Sequence, residues 1–194
     1  MKNEVRIIGG SWRGRKLRFP AAPGLRPTPD RVRETVFNWL HQDLTGLTCL
    51  DLYAGSGALG FEAASRGAKS VVQVDSNADV CAALERNCAL LDGHTIQVRR
   101  RDVAQFLGEA ALAYDVVFLD PPFHQGLVLP CCLALEANGW LAADARIYIE
   151  AEAGLALEGL PRNWDGLRTK LAGAVGYHLY RRNTPEPDSI LLKS

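Results

Sequence analysis

No apolar run in the 194-residue chain approaches the ~18 residues that a membrane-spanning helix requires. The first residues, Met1 to Arg6, lack the apolar stretch of a secretory leader, so a cytoplasmic location is expected. There is no Cys-x-x-Cys pair. The five cysteines, Cys49, Cys81, Cys88, Cys131 and Cys132, suit neither a disulfide framework nor a zinc site, and read as small core residues in a reducing compartment. His41, His94, His124 and His178 show no metal-ligand spacing, so no metal is expected, although His124 follows a motif described below and is a candidate to line its pocket. Repeats and low-complexity tracts are absent. Net charge is absent too, because 22 basic and 22 acidic residues cancel. That balance conceals an asymmetry. Residues 1–33 carry nine basic side chains against Glu4 and Asp30, a charge of +7, which leaves −7 on the remainder. A basic arm on an acidic body points to a polyanionic partner, although a solvated terminal segment would give the same count.

What is present fits one compact domain, since 47% of residues are hydrophobic. Residues 5–19 read as a hairpin. Val5 to Ile8 and Lys16 to Phe19 are strand-like, and Gly9, Gly10 and Gly14 supply backbone freedom between them. Pro20 to Pro29 holds four prolines and reads as an extended connection. A helix start follows, with Thr28 as cap, Pro29 at the first helical position and Asp30 at the positive end. Val32, Val36 and Leu40 form its apolar stripe, with Phe37 beside it. The expected division is a basic hairpin and connector over 1–29, a catalytic domain over 30–183 and a loose tail over 184–194, in which Ile190-Leu191-Leu192 is a candidate edge strand.

From residue 48 strand-length apolar runs alternate with helix-length segments. Strands are expected at 49–53, 70–75, 96–99, 116–120 and 147–151, helices near 58–66, 77–91, 103–111 and 126–137, and a closing antiparallel pair within 167–181. This order implies an α/β fold, with a mostly parallel sheet covered by helices on both faces.

Asp51-Leu52-Tyr53-Ala54-Gly55-Ser56-Gly57-Ala58-Leu59-Gly60 closes the first of these strands and opens a helix. Glycines at a strand's carboxyl end let a ligand approach the backbone. Alone, the pattern fits a dinucleotide as well as S-adenosylmethionine. The acids narrow the choice. Asp75, followed by Ser76, ends the second strand, where a carboxylate meets ribose hydroxyls in either cofactor. Asp102 follows the third strand, where it can meet an adenine amine with Val103 against the ring, or simply cap a helix. Asp51 is placed to face a methionine ammonium, whereas it would add nothing to a pyrophosphate. S-adenosylmethionine is therefore the expected cofactor, with Tyr53, Gly55, Ser56, Gly57 and Gly60 in its loop.

Asp120-Pro121-Pro122-Phe123 ends the fourth strand. A base amine is a poor nucleophile because its lone pair is delocalised into the ring. Two acceptors aimed at its hydrogens, the Asp120 carboxylate and the Pro121 carbonyl, draw it toward tetrahedral geometry. The prolines hold those acceptors in place. Phe123 offers a face for stacking the base. Asp120 is also a candidate to take the released proton, and the rest of catalysis is orientation for in-line displacement.

Arg6-Ile7-Ile8-Gly9-Gly10-Ser11-Trp12-Arg13-Gly14-Arg15-Lys16-Leu17 and the block from Gly24 to Leu40, which contains Arg26-Pro27-Thr28-Pro29-Asp30-Arg31, precede these motifs. With Ser65-Arg66-Gly67-Ala68, Asn87, Lys170-x-x-Gly173 and Tyr177-x-Leu179-Tyr180, the chain resembles the bacterial 16S rRNA guanine-N2 methyltransferases, the small-subunit methyltransferase D family. The two N-terminal blocks are the specific part, since many N-methyltransferases share the glycine and Pro-Pro motifs. The resemblance implies a class I S-adenosylmethionine-dependent (Rossmann-like) methyltransferase with a seven-stranded sheet and an N-terminal β-hairpin extension. It implies methylation at N2 of the guanine conventionally numbered 966, in the small ribosomal subunit or its assembly intermediate. Tyr53 and Asp75 depart from the Phe and Glu expected in the family.

An RNA partner accounts for the charge split, with Arg6, Arg13, Arg15, Lys16, Arg18 and Arg26 as phosphate contacts. Trp12 is a candidate to stack on a base, or equally to pack between hairpin and core. A monomer is expected. The rival readings are a DNA adenine or protein glutamine N-methyltransferase, an NAD-linked oxidoreductase sharing only the glycines, and a non-catalytic RNA-binding assembly factor.

Overall fold

The computed structural model describes residues 3–21 and 27–184. Arg26 and the Ile190-Leu191-Leu192 strand lie outside them. The chain opens with an antiparallel hairpin of β1 (Glu4–Arg6) and β2 (Lys16–Arg18), and continues with α1 (Asp30–Trp39). There follow β3 (Thr48–Leu52), α2 (Ala58–Ser65), β4 (Ser70–Asp75), α3 (Ala78–Leu91), β5 (Ile96–Arg100), α4 (Val103–Leu107), β6 (Tyr114–Leu119), α5 (Val128–Ala137), β7 (Leu141–Glu152), β8 (Trp164–Ala172) and β9 (Val175–Arg182). Seven strands form one sheet in the order β5-β4-β3-β6-β7-β9-β8. The first five are parallel, and β9 runs antiparallel between β7 and β8. Strand order reverses between β3 and β6, which opens a crevice at their carboxyl ends.

Side-chain alternation divides the core into two layers. Leu50, Leu52, Val117, Leu119, Ile147 and Ile149 pack against α4 and α5 through Phe106, Leu107, Cys132 and Leu135. On the other face Cys49, Val116, Phe118 and Tyr148 meet Val36, Phe37 and Leu40 of α1 and Leu59 and Ala63 of α2. All five cysteines are free thiols, four of them buried and Cys88 half-buried.

Several boundaries differ from the sequence expectation, among them the start of β7, which pairs from Leu141 and not from 147. Thr28 does not cap α1. Pro29 occupies the cap position with no side-chain hydrogen bond, and the buried Thr28 hydroxyl instead donates to Glu150 at 3.2 Å. A buried carboxylate loses more by lacking a donor than a helix end does, because its alternative partner, water, is excluded. Helix α4 stops at Leu107 because Gly108, a poor helix former, follows. Helix α5 starts at Val128, after Gly126 turns the backbone at φ +66°.

The basic arm is not a loose appendage. Val5, Ile7 and Leu17 are buried with Phe61, Val80 and Leu84, and Trp12 packs where this cluster meets the α1–α2 layer. Glu62, at the centre of α2 and inaccessible to solvent, fixes the hairpin. It accepts from the amides of Ile8 at 3.0 Å and Gly9 at 2.7 Å, and pairs with Arg33 at 3.1 Å and Arg66 at 2.9 Å. Arg33, equally buried, also donates to the carbonyls of Arg6 and Thr28 and to Asp30. Gly10, at φ +72°, has no room for a side chain, since a Cβ would stand 1.8 Å from the Ser65 carbonyl oxygen.

Removing one partner of a buried ion pair costs about 3–5 kcal/mol, because the other charge is stranded. Glu62→Ala should lower stability to urea by that order and speed amide exchange at Ile8 and Gly9. A loss below about 1 kcal/mol would show that the hairpin is held by apolar packing alone.

Candidate active site at the carboxyl edge of the sheet

Four acids from the sequence analysis lie at or just past the carboxyl ends of four adjacent strands, Asp102 by β5, Asp75 on β4, Asp51 on β3 and Asp120 after β6. The loop after β3 turns through left-handed backbone at Tyr53 (φ +59°), Gly55 (φ +53°) and Gly57 (φ +75°) before entering α2. Two glycines have a different reason from the one expected. A Cβ on Gly57 would stand 2.5 Å from Leu84, and one on Gly60 would stand 2.5 Å from Gln73 and 2.8 Å from Asp51. Their bareness lets α2 close onto the sheet and α3, because the neighbours are protein groups.

Asp51 is buried, and its Oδ2 accepts from the Gly60 amide and from Gln73 Nε2, each at 3.0 Å. The Gly60 amide belongs to the first turn of α2, so the carboxylate serves the positive end of that helix. Burial nevertheless raises its pKa to about 7, and no cation among the described residues pairs with it. Asp75 accepts from the amides of Gly55 at 3.0 Å and Asn77 at 2.8 Å, which ties the glycine loop to the end of β4. Asp102 caps α4, accepting with Oδ1 from Ala104 and Gln105, and leaves Oδ2 unbonded among the described residues. Val103 is buried beside it. The Tyr53 hydroxyl lies 3.4 Å from the Cys131 sulfur, Ser56 is buried and Ser76 is exposed.

Asp120 follows the last residue of β6 and is partly exposed. Burial of its surroundings raises its pKa to about 7. Pro121 is buried, Pro122 exposed and Phe123 half-buried, with the His124 ring edge-on to Phe123 at 6.5 Å. The largely exposed His124 stands 3.7 Å from Glu152.

A fifth acid, outside every motif read from the sequence, joins them. Glu150 on β7 is buried, and its Oε1 accepts from the hydroxyls of Tyr148 at 2.9 Å and Thr28 at 3.2 Å. Burial and the nearby Asp120 raise its pKa to about 8. The signal was a single charge inside the apolar run Ile147-Tyr148-Ile149-Glu150-Ala151.

The candidate RNA contacts divide. Arg13 is exposed and forms no ion pair among the described residues. Arg15 donates to the Leu90 carbonyl. Lys16 and Arg18 share Glu4, each at 3.2 Å, and Arg6 stands 3.6 Å from Asp30. Trp12 is half-buried against the core, so its ring is already committed to packing.

A family described as conserved hypothetical protein 95 matches residues 5–181. The solved structure of yhhF from Escherichia coli superposes with a TM-score of 0.87 at 44% identity, over 93% of this chain and 98% of that one. A ribosomal protein L11 methylase from Lactobacillus delbrueckii, at 20% identity and a TM-score of 0.65, over 83% of each chain, shares the fold. Sheet order, crevice and these likenesses define a class I methyltransferase fold. In sequence the chain is 47% identical to the Escherichia coli K12 protein named ribosomal RNA small subunit methyltransferase D, over 92% of this chain and 90% of that one. It is 45% identical to the Haemophilus influenzae protein of the same name, over 93% and 95%. The chain belongs to the small-subunit methyltransferase D family.

Three carboxyls with raised pKa values imply a pH-dependent stability. Asp51, Asp120 and Glu150 bind protons more tightly folded than unfolded. Their contribution is fully present below the ordinary carboxylate range and is lost as pH rises through about 7 to 8. The ligand-free protein should lose stability to urea between pH 5 and 8, and Asp51→Asn should flatten that slope. His178, whose pKa burial lowers, acts in the opposite sense but is common to both proteins. Equal slopes would mean that Asp51 ionises at no cost.

Proposed function

We propose that the protein transfers a methyl group from S-adenosylmethionine to the exocyclic N2 of a guanine in 16S rRNA, guanine 966 by the family's convention, in the cytoplasm during small-subunit assembly. The observation that carries this reading is the position of Asp120. Asp120, a partly exposed residue, leaves β6 at the crevice, ahead of the rigid Pro121-Pro122 step and the half-buried Phe123. The names of the two relatives above support the substrate class.

The residues fit S-adenosylmethionine. Asp51 is a buried carboxylate without a cation, which an ammonium would supply. Asp75 retains lone pairs for ribose hydroxyls, Oδ2 of Asp102 meets no donor among the described residues, and Val103 provides an apolar neighbour for an adenine ring. When bound, the cofactor supplies a methyl group already activated by a sulfonium, so no metal is required. The protein's part is positional. Asp120 and the Pro121 carbonyl accept the two amine hydrogens, Phe123 stacks on the guanine, and Asp120 takes the proton that leaves N2. Bringing the base out of its stack costs about a few kcal/mol, less for an unpaired loop nucleotide. The exposed cations of the hairpin hold the surrounding phosphates.

A DNA adenine or protein glutamine methyltransferase would use the same Asp-Pro-Pro-aromatic chemistry, but the basic hairpin favours RNA. Labelled methyl transfer to undermethylated small subunits, followed by nucleoside digestion, distinguishes them. Label in N2-methylguanosine supports the proposal, and label only in DNA or protein overturns the substrate. Cofactor binding without transfer to any acceptor favours an assembly factor.

Two substitutions probe the parts. Asp120→Ala should abolish transfer and leave cofactor affinity by calorimetry within a few fold; near-normal turnover would remove Asp120 from the chemistry. Deleting the hairpin would open the core, so the cleaner probe is surface charge. Arg13→Gln, Lys16→Gln and Arg18→Gln together should flatten the plot of log binding constant against log salt by about two to three units. An unchanged slope would place the RNA elsewhere.

A further inference from the structure

Glu150 is a buried carboxylate to which the mechanism above gives no task. It stands between Ile149 and Ala151, both sealed from solvent. Strands β6 and β7 are paired in parallel with Leu119 opposite Ile149. The next residues, Asp120 and Glu150, therefore emerge side by side. Strand alternation directs both toward the face that carries Phe118 and Tyr148, whose rings meet edge to face at 6.4 Å. The groups around Glu150 come from five elements. Tyr148 of β7 and Thr28, ahead of α1, donate to the same oxygen. Asp120 follows β6, Asp51 lies on β3, and Tyr177 of β9 is opposite Glu150 in register. The nearby cation of α1, Arg33, is already bound to Asp30, Glu62 and two carbonyls. Two carboxylates are thus adjacent at the crevice, with hydroxyl donors on one of them and, among the described residues, no positive charge between them.

We propose that Asp120 and Glu150 work as one carboxylate pair that holds a single proton near neutral pH, Glu150 being the positioning residue that decides when Asp120 is free to accept. This rests on the function proposed above. Like charges in a shared low-dielectric site resist joint ionisation, so one of the two stays protonated well above the usual carboxylate range. The raised proton affinity of both groups agrees. In methyl transfer the C–N bond to N2 forms as the C–S bond breaks, the electron pair remaining on sulfur. The N2 proton passes to Asp120, and the pair, now holding two protons, releases one to water. Glu150 touches no substrate atom. It keeps Asp120 basic enough to accept a proton at neutral pH, where an isolated surface carboxylate would not.

The test is the pH dependence of kcat for wild type and Glu150→Gln, together with carbon-13 carboxyl titration of both proteins without ligand. Gln retains an oxygen for Tyr148 and Thr28, so a purely structural role predicts no change in either profile. The pair predicts that wild-type kcat climbs across two overlapping ionisations. In Glu150→Gln it should climb in one step that is complete at least about one pH unit lower, with KM unaltered. A superimposable profile, or an Asp120 carboxyl that titrates identically in both proteins, overturns the pair. Thr28→Val removes a donor from Glu150 and should move the upper ionisation to higher pH. Should Glu150→Gln fail to fold, that shift supports the pair and its absence overturns it. If no RNA is methylated at any pH while the wild-type carboxyls still titrate in two coupled steps and Glu150→Gln shows one, the pair stands and the function reading falls.

Discussion

The ion pair between Arg33 and Glu62 is the constraint on which the arrangement of the site depends. Both side chains are wholly buried, a state tolerable only when each charge is fully hydrogen-bonded. Glu62 meets that condition with two backbone amides from the hairpin turn and two guanidinium groups. Arg33 meets it with two carboxylates and two carbonyls. The partners come from the hairpin, the connection before α1, α1 itself and α2. These segments, which also share apolar contacts, are thereby fixed to one another by direction-dependent bonds, which set their angles as well as their proximity. Glu62 lies on the same short helix whose first turn meets Asp51, and Arg33 holds the Thr28 carbonyl while the Thr28 hydroxyl meets Glu150. The proposed RNA-facing hairpin and the acid-lined crevice are positioned by one network.

How much of this could be read from the chain depended on the range of the interaction. The β-α alternation, the closing antiparallel pair and the glycine loop are local patterns, and the structure has them close to their expected bounds. The four aspartates announced themselves because each lies at or just past the carboxyl end of an expected strand. What could not be read was who meets whom. Arg33 was one of the nine basic residues of the first 33, and nothing in the local pattern set Glu62 apart. Only the packing of α1 on α2 turns them inward. Thr28 carried a strong capping signature, and a carboxylate 122 residues away took its hydroxyl instead. Gly57 and Gly60 were recognisable as necessary, but the groups that make them so, Leu84, Gln73 and Asp51, come together only in the fold.

Charge gives the remaining argument. An RNA methyltransferase must bring a polyanion to a crevice lined with acids, and long-range repulsion opposes it. In this protein two features reduce that conflict. The carboxyls closest to the proposed transfer site, Asp51, Asp120 and Glu150, are the ones whose pKa values burial lifts to about 7 or 8, so near neutral pH they carry well under their full formal charge. A cationic cofactor facing Asp51 would reduce it further. The cations lie on the hairpin, which is clamped rather than tethered. The +7 of residues 1–33 already allows for Glu4 and Asp30, and Glu62 neutralises the buried Arg33 as well, so the net attraction is weaker than the sequence count suggests. Affinity of that modest kind cannot by itself select the nucleotide proposed as the target. Selection must come from geometry, from whether a nucleotide can reach Phe123 while its neighbours lie along a hairpin at a fixed angle. That requirement suits a folded ribosomal particle, in which loop and flanking phosphates are already held in place, better than a free flexible strand.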